Sequence, residues 1–144
     1  MNRLVLDASV VVKWLVPDPE READTQRAEQ IFRGVERRQI KLVQPPHWLA
    51  EVAGVLARIS PATVEEDVAD LYDLELEVAE SEAVYLAAVR LARELDHHLF
   101  DTLYHGVAIE TPDAVLVTAD DRYFRKARSS GRIVYLSAWR PEGE

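Results

Sequence analysis

The chain has 144 residues, 48% hydrophobic and 30% charged, which predicts a single globular domain over residues 1–144 with a buried core. It has no cysteine, and this excludes disulfides, thiolate metal sites and cysteine nucleophiles, so that any metal must be bound by oxygen or imidazole. Its 26 acidic and 17 basic residues give a net charge of -9, which counts against binding nucleic acid through overall charge and favours basic partners.

Strands and helices alternate in the first half of the chain. The apolar run that ends at Asp7 predicts a strand, and the helix after it stops before Pro17. Apolar residues at helical spacing predict the longer helices, and Ser60-Pro61 ends one of them. In order, the predictions are a strand at residues 4–7, helices at 8–15 and 20–38, a strand at 41–43, and helices at 47–59 and 63–72.

The same alternation continues in the second half. Ser81 has the character of a helix cap, and the run AVLVT is typical of a buried strand. The predictions are a strand at residues 74–78, helices at 81–95 and 101–110, a strand at 114–118, a helix at 121–129 and a strand at 133–136. Strands joined by crossover helices predict an α/β fold, a three-layer α/β/α arrangement around a central parallel sheet of about five strands.

Four carboxylates from distant segments are expected to point at one place. Asp7 and Asp120 follow predicted strands, and ligands of open parallel sheets bind beyond the carboxyl ends of the strands. Glu51 lies beside the apolar face of its helix, and Asp101 opens a helix on a side that half faces the core.

A structural role is the alternative for three of these acids. Asp7, Asp101 and Asp120 each occupy a position where an aspartate commonly caps a helix, whereas Glu51 does not. Because carboxylates that converge in this way repel one another, the combination predicts a cation between them.

Four stretches, LVLDAS, WLAEVAGVL, LFDTLYHGVA and LVTADD, carry a resemblance to a known family. In order and in spacing they resemble the motifs of PIN-domain ribonucleases, and most closely those of the VapC-type toxins of toxin-antitoxin modules. The resemblance covers essentially the whole chain. It implies an acidic, metal-binding and catalytic cluster of Asp7, Glu51, Asp101 and Asp120, accessory hydroxyls at Ser9 and Thr118, and an additional acid at Asp121.

The resemblance also implies an activity and partners. All-oxygen sites suit Mg²⁺ or Mn²⁺, and the family implies metal-dependent endonucleolytic cleavage of RNA that leaves 5'-phosphate and 3'-hydroxyl ends. It further implies a cognate antitoxin and a twofold homodimer. One departure is Gly54, where many relatives carry a polar residue; close packing is one explanation for this glycine.

Histidine and basic residues offer other functional groups near the acids. His97, His98 and His105 lie near Asp101 in the sequence, but the acidic set is complete without them and they are left out of the predicted site. One helix carries a basic run, which is either a site for contacts with the RNA backbone or a solvated helix face: Arg122, Arg125, Lys126 and Arg128. Arg58 is a further candidate for contact with an RNA phosphate, although an ordinary surface arginine is the favoured interpretation.

Other functions explain the sequence less well. A haloacid-dehalogenase-like phosphatase needs a second aspartate where this chain has Ser9, and the acidic pattern of a phospho-receiver domain is absent. A catalytically silent PIN-like scaffold that binds RNA or protein is the remaining alternative. No apolar run reaches the roughly 18 residues of a membrane span, and residues 1–15 lack a secretion signal, so a cytoplasmic protein is expected. Leftover apolar surface on helices 20–38 and 63–72 is expected to support the dimer.

Overall fold

Five parallel strands form the centre of the molecule. The computed structural model describes residues 3–17 and 19–143, with the backbone alone at residues 21 and 22. Its strands are β1 (Arg3–Leu6), β2 (Lys41–Gln44), β3 (Glu77–Val78), β4 (Ala114–Thr118) and β5 (Ile133–Tyr135). They lie in the order β3-β2-β1-β4-β5 and every pair is parallel. The predicted parallel sheet of about five strands is confirmed.

Helices flank this sheet and complete a three-layer α/β/α fold. Among the described helices, none is both long and apolar enough to cross a bilayer. The α-helices are α1 (Ala8–Leu15), α2 (Glu22–Glu36), α3 (Trp48–Ile59), α4 (Val64–Asp73), α5 (Glu82–Leu95), α6 (Leu99–Glu110) and α7 (Asp121–Ala127), and short 3-10 helices span Pro19–Arg21, Arg128–Ser130 and Leu136–Ala138.

Several boundaries differ from the sequence prediction for local reasons. The first strand ends at Leu6 because Asp7 is the N-cap of α1. The strand expected at residues 74–78 is only Glu77–Val78, an exposed edge strand. The helix expected to open at Asp101 begins two residues earlier. Asp101 therefore lies in the first turn of α6, and the N-cap interpretation of this residue was wrong.

The order of the strands reverses between β1 and β4. From β1 the chain adds β2 and β3 on one side of the sheet, then crosses to place β4 and β5 on the other side. Parallel pairing aligns the ends of the two central strands, with Leu6 opposite Val117. Crevices at such a reversal, outside the carboxyl ends of the strands, are where open α/β sheets bind ligands.

Helix α6 packs across the central strands and against α5. Residues 102–108 are all buried, and Gly106 lies where the two helices meet. A Cβ atom added at Gly106 would lie 2.9 Å from the backbone oxygen of Val84 and 3.1 Å from the nitrogen of Ala88. Only glycine permits this close approach, so Gly106 sets how near α6 lies to α5.

The junction of β1 and β2 is completed by a side chain. Backbone pairing joins Leu4 to Leu42, and beyond that pair the fully buried side chain of Gln44 bonds to Leu6. Its Oε1 accepts from the Leu6 nitrogen and its Nε2 donates to the Leu6 oxygen, both at 2.8 Å. The amide group of Gln44 thus takes the place of a backbone peptide group.

Exposed apolar side chains are found mainly on elements other than those predicted. No large hydrophobic residue of α2 is exposed among the described side chains, and Phe32 packs on Trp14 at 5.1 Å between ring centroids. The expectation for that helix was therefore wrong. On α4, Tyr72 is exposed, as expected. The larger set lies on α5 and at the start of α6: Tyr85, Leu86, Val89, Leu99 and Phe100.

Candidate active site

A cleft of about 580 Å³ opens at the carboxyl ends of the central strands. Asp7, Glu51, Asp101 and Asp120 all line it, although they come from four separate segments. Val12, Val55 and Ile59 form part of an apolar wall, and Lys13 also lines the cleft. The structure therefore brings together the four acids that the sequence singled out. It adds one cation that the sequence prediction did not include.

Three hydrogen bonds hold the carboxylate of Asp7 in place. Its Oδ1 accepts from the Ser9 nitrogen at 2.9 Å and from the Ser9 hydroxyl, and its Oδ2 accepts from the Thr118 hydroxyl. The same two hydroxyls accept backbone N–H groups, from Ala119 at Ser9 and from Asp120 at Thr118, both at 3.0 Å. Ser9 and Thr118 thus fix the carboxylate of Asp7 and join the ends of β1 and β4.

Burial makes the ionised form of Asp7 costly. Desolvation raises the pKa of Asp7 to about 6, the hydrogen bonds from Ser9 and Thr118 oppose this rise, and the negative charge of Asp120 adds to it. Among the described residues, no lysine or arginine forms an ion pair with Asp7. A cation in the cleft would favour the ionised carboxylate.

Glu51 is positioned by a histidine one turn earlier. His47 Nε2 lies 2.7 Å from the Phe100 oxygen and 3.3 Å from Oε2 of Glu51. Because a carbonyl oxygen only accepts, Nε2 must carry the proton. The imidazole ring also contacts the rings of Phe100 and Tyr104. His47 therefore links the start of α3 to the start of α6 beside Glu51.

Asp101 has a comparable partner. His97 Nε2 lies 2.8 Å from Oδ2 of Asp101, and Nδ1 lies 3.3 Å from Nζ of Lys126. An ammonium group only donates, so Nδ1 accepts and Nε2–H donates to Asp101. The sequence prediction left His97 out of the site. The spacing of four residues, shared by His47 and Glu51, is the signal that could have found both histidines.

Asp120 combines a cap with a place in the cleft, whereas its neighbour lies outside. Oδ1 of Asp120 accepts from the Tyr123 nitrogen at 3.1 Å, so Asp120 is the N-cap of α7. Asp121 is exposed, pairs with Arg125 at 2.7 Å and does not line the cleft. The structure therefore does not bring Asp121 together with the four acids.

Two buried tyrosines lie close to the acids and were not predicted. Tyr123 lines the cleft and bonds through its hydroxyl to His105 Nδ1 at 2.9 Å. The hydroxyl of Tyr104 is buried close to Glu51, and no hydrogen bond of good geometry joins it to another described residue. Burial, and then the negative charges of Glu51, Asp7 and Asp101, raise the pKa of Tyr104; burial and the charges of Asp101 and Asp7 raise that of Tyr123. Both phenols are neutral neighbours of the cleft.

His105 and Gly54 have different surroundings from those of the acids. His105 is fully buried, its pKa is lowered by burial, and Nε2–H donates to the Gly131 oxygen at 2.7 Å. His105 is packed inside the core and does not line the cleft. Gly54 is exposed, and a Cβ atom added there would meet nothing within 4 Å. Close packing therefore does not explain this glycine.

The donor set of the cleft fits a hard divalent cation. Its acids offer only oxygen ligands, as Mg²⁺ and Mn²⁺ prefer, and Asp7 is a half-buried carboxylate without an ion-pair partner in the described chain. Across residues 3–17 and 19–143, no three histidine, aspartate or glutamate side chains already stand close enough to hold a metal ion together. The acids thus share a cleft, not a closed metal cage.

Comparison with known proteins agrees with this architecture. The family model of the PIN domain matches residues 4–129. No curated protein matches the chain. PIN domains are generally nucleases that use Mg²⁺ or Mn²⁺, and the region matched contains all four acids of the cleft. Since the match covers most of the chain, this protein belongs to the PIN domain family.

Proposed function

We propose that the chain is a metal-dependent endoribonuclease that hydrolyses phosphodiester bonds of RNA with Mg²⁺, or with Mn²⁺ in its place. One observation carries this proposal: four carboxylates from separate segments line a single cleft at the point where the strand order reverses. Like charges gathered beside a half-buried aspartate are costly unless a cation joins them. A cleft of this kind suits a metal-assisted reaction on a phosphate.

The residues of the cleft have distinct roles in this proposal. Asp7, Glu51, Asp101 and Asp120 would hold the metal. A bound divalent ion would neutralise these acids, polarise a phosphate group and lower the pKa of a water molecule. No side chain has to serve as the nucleophile.

Neighbouring groups hold the acids in place. Ser9 and Thr118 orient both oxygens of Asp7, and His97 donates to Asp101. Lys13 lines the same cleft and supplies a positive charge for a phosphate oxygen of the substrate. The chain therefore contributes orientation and charge, which are the main protein contributions to phosphate chemistry.

The proposed biological role is that of the toxin in a type II toxin-antitoxin pair, of the VapC type, acting in the cytoplasm. Its support is the order and spacing of the four acidic motifs. A cognate antitoxin and a homodimer are part of this proposal. The acidic cleft and the net charge of -9 favour a basic segment of the antitoxin, and the exposed apolar side chains of α5 favour a second copy of the chain.

A catalytically silent scaffold that binds RNA or protein is the second candidate. The observation in its favour is that no three potential metal ligands within the described part of the chain are already arranged around one point. A scaffold would retain RNA or a protein partner without cutting RNA. Its binding of RNA or of the protein partner would not change when a chelator removes divalent metal ions.

The test is cleavage of a mixed-sequence single-stranded RNA pool by the purified protein. We expect cleavage in Mg²⁺, loss of cleavage in EDTA, and recovery when excess Mg²⁺ or Mn²⁺ is added back. Product ends should be 5'-phosphate and 3'-hydroxyl, which ligation and phosphatase assays distinguish. A protein that binds the pool with and without metal but never cuts it would be the scaffold. Cleavage that persists in EDTA would contradict the metal-dependent proposal.

A further inference from the structure

A second, smaller pocket lies next to the acidic cleft. Its volume is about 310 Å³, and it is lined by Asp96, His97, His98, Arg122 and Lys126. His97 belongs to this pocket, and its Nε2 bonds to Asp101 of the cleft. The two cavities are therefore linked through the contact between His97 and Asp101.

The basic residues of α7 divide into two groups. Arg122 and Lys126 are four residues apart, on the same side of the helix, and both line the second pocket. Arg125 points elsewhere and pairs with Asp121 at 2.7 Å. Arg122 has no ion-pair partner in the described chain. Two basic residues of α7, Arg122 and Lys126, therefore face the pocket, whereas the charge of Arg125 is already neutralised by Asp121.

Lys126 is held in position before any ligand arrives. Its Nζ donates to the backbone oxygen of Asp96 at 3.0 Å and to His97 Nδ1 at 3.3 Å. Both acceptors are neutral, so these bonds orient the ammonium group without cancelling its charge, and the third N–H group remains for a ligand. The pocket contains two basic side chains, those of Arg122 and Lys126, and one exposed carboxylate, that of Asp96.

We propose that this pocket binds a backbone phosphate of the RNA strand, adjacent to the phosphate in the acidic cleft. The proposal rests on the proposed nuclease function, and it adds the place where the strand is held. Arg122 would contact phosphate oxygens through its guanidinium fork and Lys126 through its oriented ammonium. A protein with a net charge of -9 would then bind RNA through a local site, not through its overall field.

The experiment measures RNA binding separately from cleavage. The probe is a fluorescein-labelled 12-nucleotide oligouridine, because contacts to phosphate do not depend on sequence. Fluorescence anisotropy in EDTA and low salt avoids cutting. We expect Arg122→Gln to weaken binding about three- to tenfold, consistent with loss of one charged contact. The slope of log affinity against log salt should fall by about 0.7, the value for one single-strand phosphate.

Arg125→Gln is the matched control, because it removes the same charge from the same helix. We expect it to change the affinity less than twofold. Equal losses in both variants, or no measurable binding by the unmodified chain, would overturn the pocket assignment. So would displacement of the oligouridine by a ten-residue glutamate peptide through the same dependence on Arg122, since the pocket would then be an acidic-peptide site.

Cleavage of a mixed-sequence RNA pool in Mg²⁺, assayed in parallel, separates the two proposals. If the unmodified chain cuts the pool but Arg122→Gln binds RNA as Arg125→Gln does, only the phosphate pocket is wrong. If it does not cut, while Arg122→Gln alone loses affinity, the phosphate pocket stands and the nuclease proposal fails.

Discussion

Thr118 donates its hydroxyl hydrogen to Oδ2 of Asp7, across 111 positions of sequence. The same oxygen of Thr118 accepts the backbone N–H of Asp120 at 3.0 Å. One hydroxyl therefore joins the two strand-end acids of the cleft. It holds them near each other although their charges repel, as shown by the contribution of Asp120 to the raised pKa of Asp7. The acidic cleft is thus built into the hydrogen bonding of the sheet.

Loss of one acid should abolish cleavage without unfolding the protein. We expect Asp7→Asn and Asp101→Asn each to lower Mg²⁺-dependent cleavage of RNA by at least about 100-fold, because each removes a charged ligand while preserving shape. Circular dichroism and a thermal melt report on the fold. An Asp7→Asn protein that cuts RNA at the rate of the unmodified chain would refute the assignment. Asp121→Asn, at an exposed acid outside the cleft, is the control and should remain active.

Stability should depend on pH through Asp7. Its pKa of about 6 in the folded protein exceeds the ordinary value of 3.8, so between these values the folded chain binds more protons than the unfolded chain. The contribution of Asp7 to stability is therefore present below about pH 4 and is lost as pH rises through about 6. The expected loss is about 3 kcal/mol, at 1.36 kcal/mol per pKa unit.

Urea unfolding in EDTA, compared between the unmodified chain and Asp7→Asn, isolates this effect. The variant should gain stability relative to the unmodified chain as pH rises from about 4 to about 7. A difference that stays constant over this interval would contradict the prediction. Adding Mg²⁺ above pH 7 should stabilise the unmodified chain more than the variant, since binding to the folded state alone raises the free energy of unfolding.

Binding of the candidate antitoxin should be sensitive to salt. The acidic cleft is expected to receive an arginine or lysine of the partner among its carboxylates, and screening weakens such attraction. The partner to test is a short protein encoded next to this chain, with a DNA-binding end and a basic or aromatic tail. Titration calorimetry at increasing NaCl should show a falling affinity. An affinity that is independent of salt would show that charge does not guide the pair.

Self-association is expected at micromolar concentration. Leu86 and Val89 are three residues apart on α5 and both are exposed, so they form an apolar strip that a second copy could cover. Sedimentation equilibrium should give a dimer mass. Leu86→Lys should shift the equilibrium to monomer, whereas Val78→Lys, at an exposed residue of β3, should not. A monomer mass for the unmodified chain with full nuclease activity would show that the dimer is not needed.

Two helical glycines should respond in opposite ways to alanine. Gly54→Ala should stabilise the protein by about 0.5–1 kcal/mol, because the new methyl group meets no atom within 4 Å and alanine favours the helix. Gly106→Ala should destabilise it by about 1–3 kcal/mol, because its Cβ would press on the backbone of α5. Urea unfolding of both variants measures the difference. Similar effects of the two substitutions would contradict the packing described for α6.

Elements with local signals were predictable from the sequence. The helix at Ala8–Leu15 and the strand at Ala114–Thr118 have the predicted bounds, because a cap, a proline or an apolar run marks their ends. The strand Glu77–Val78 depends on pairing with β2 and on a bond from the Ala79 nitrogen to the Gln44 oxygen at 2.9 Å. Such pairing joins distant segments, so local sequence overestimated its length.

In the cleft, too, features with local sequence signals were predictable and features that depend on packing between distant segments were not. The four acids were predictable because their motifs are visible in the sequence and because two of them, Asp7 and Asp120, follow strands. The contact of Lys126 with His97 depends on how α7 packs beside the loop before α6, and the burial of Tyr104 depends on elements on both sides of α6. These relationships depend on the directions in which side chains point, and residue spacing alone does not determine those directions.

The side chain of Gln44 has a consequence for the width of the crevice. Because its amide spans the gap between β2 and Leu6, the separation of the two strands at this end depends on the length of one glutamine side chain. Asparagine, one methylene shorter, could not reach both groups of Leu6 from the same backbone position. The residue after Leu6 is Asp7, so this spacer also determines where the first acid stands relative to the rest of the cleft.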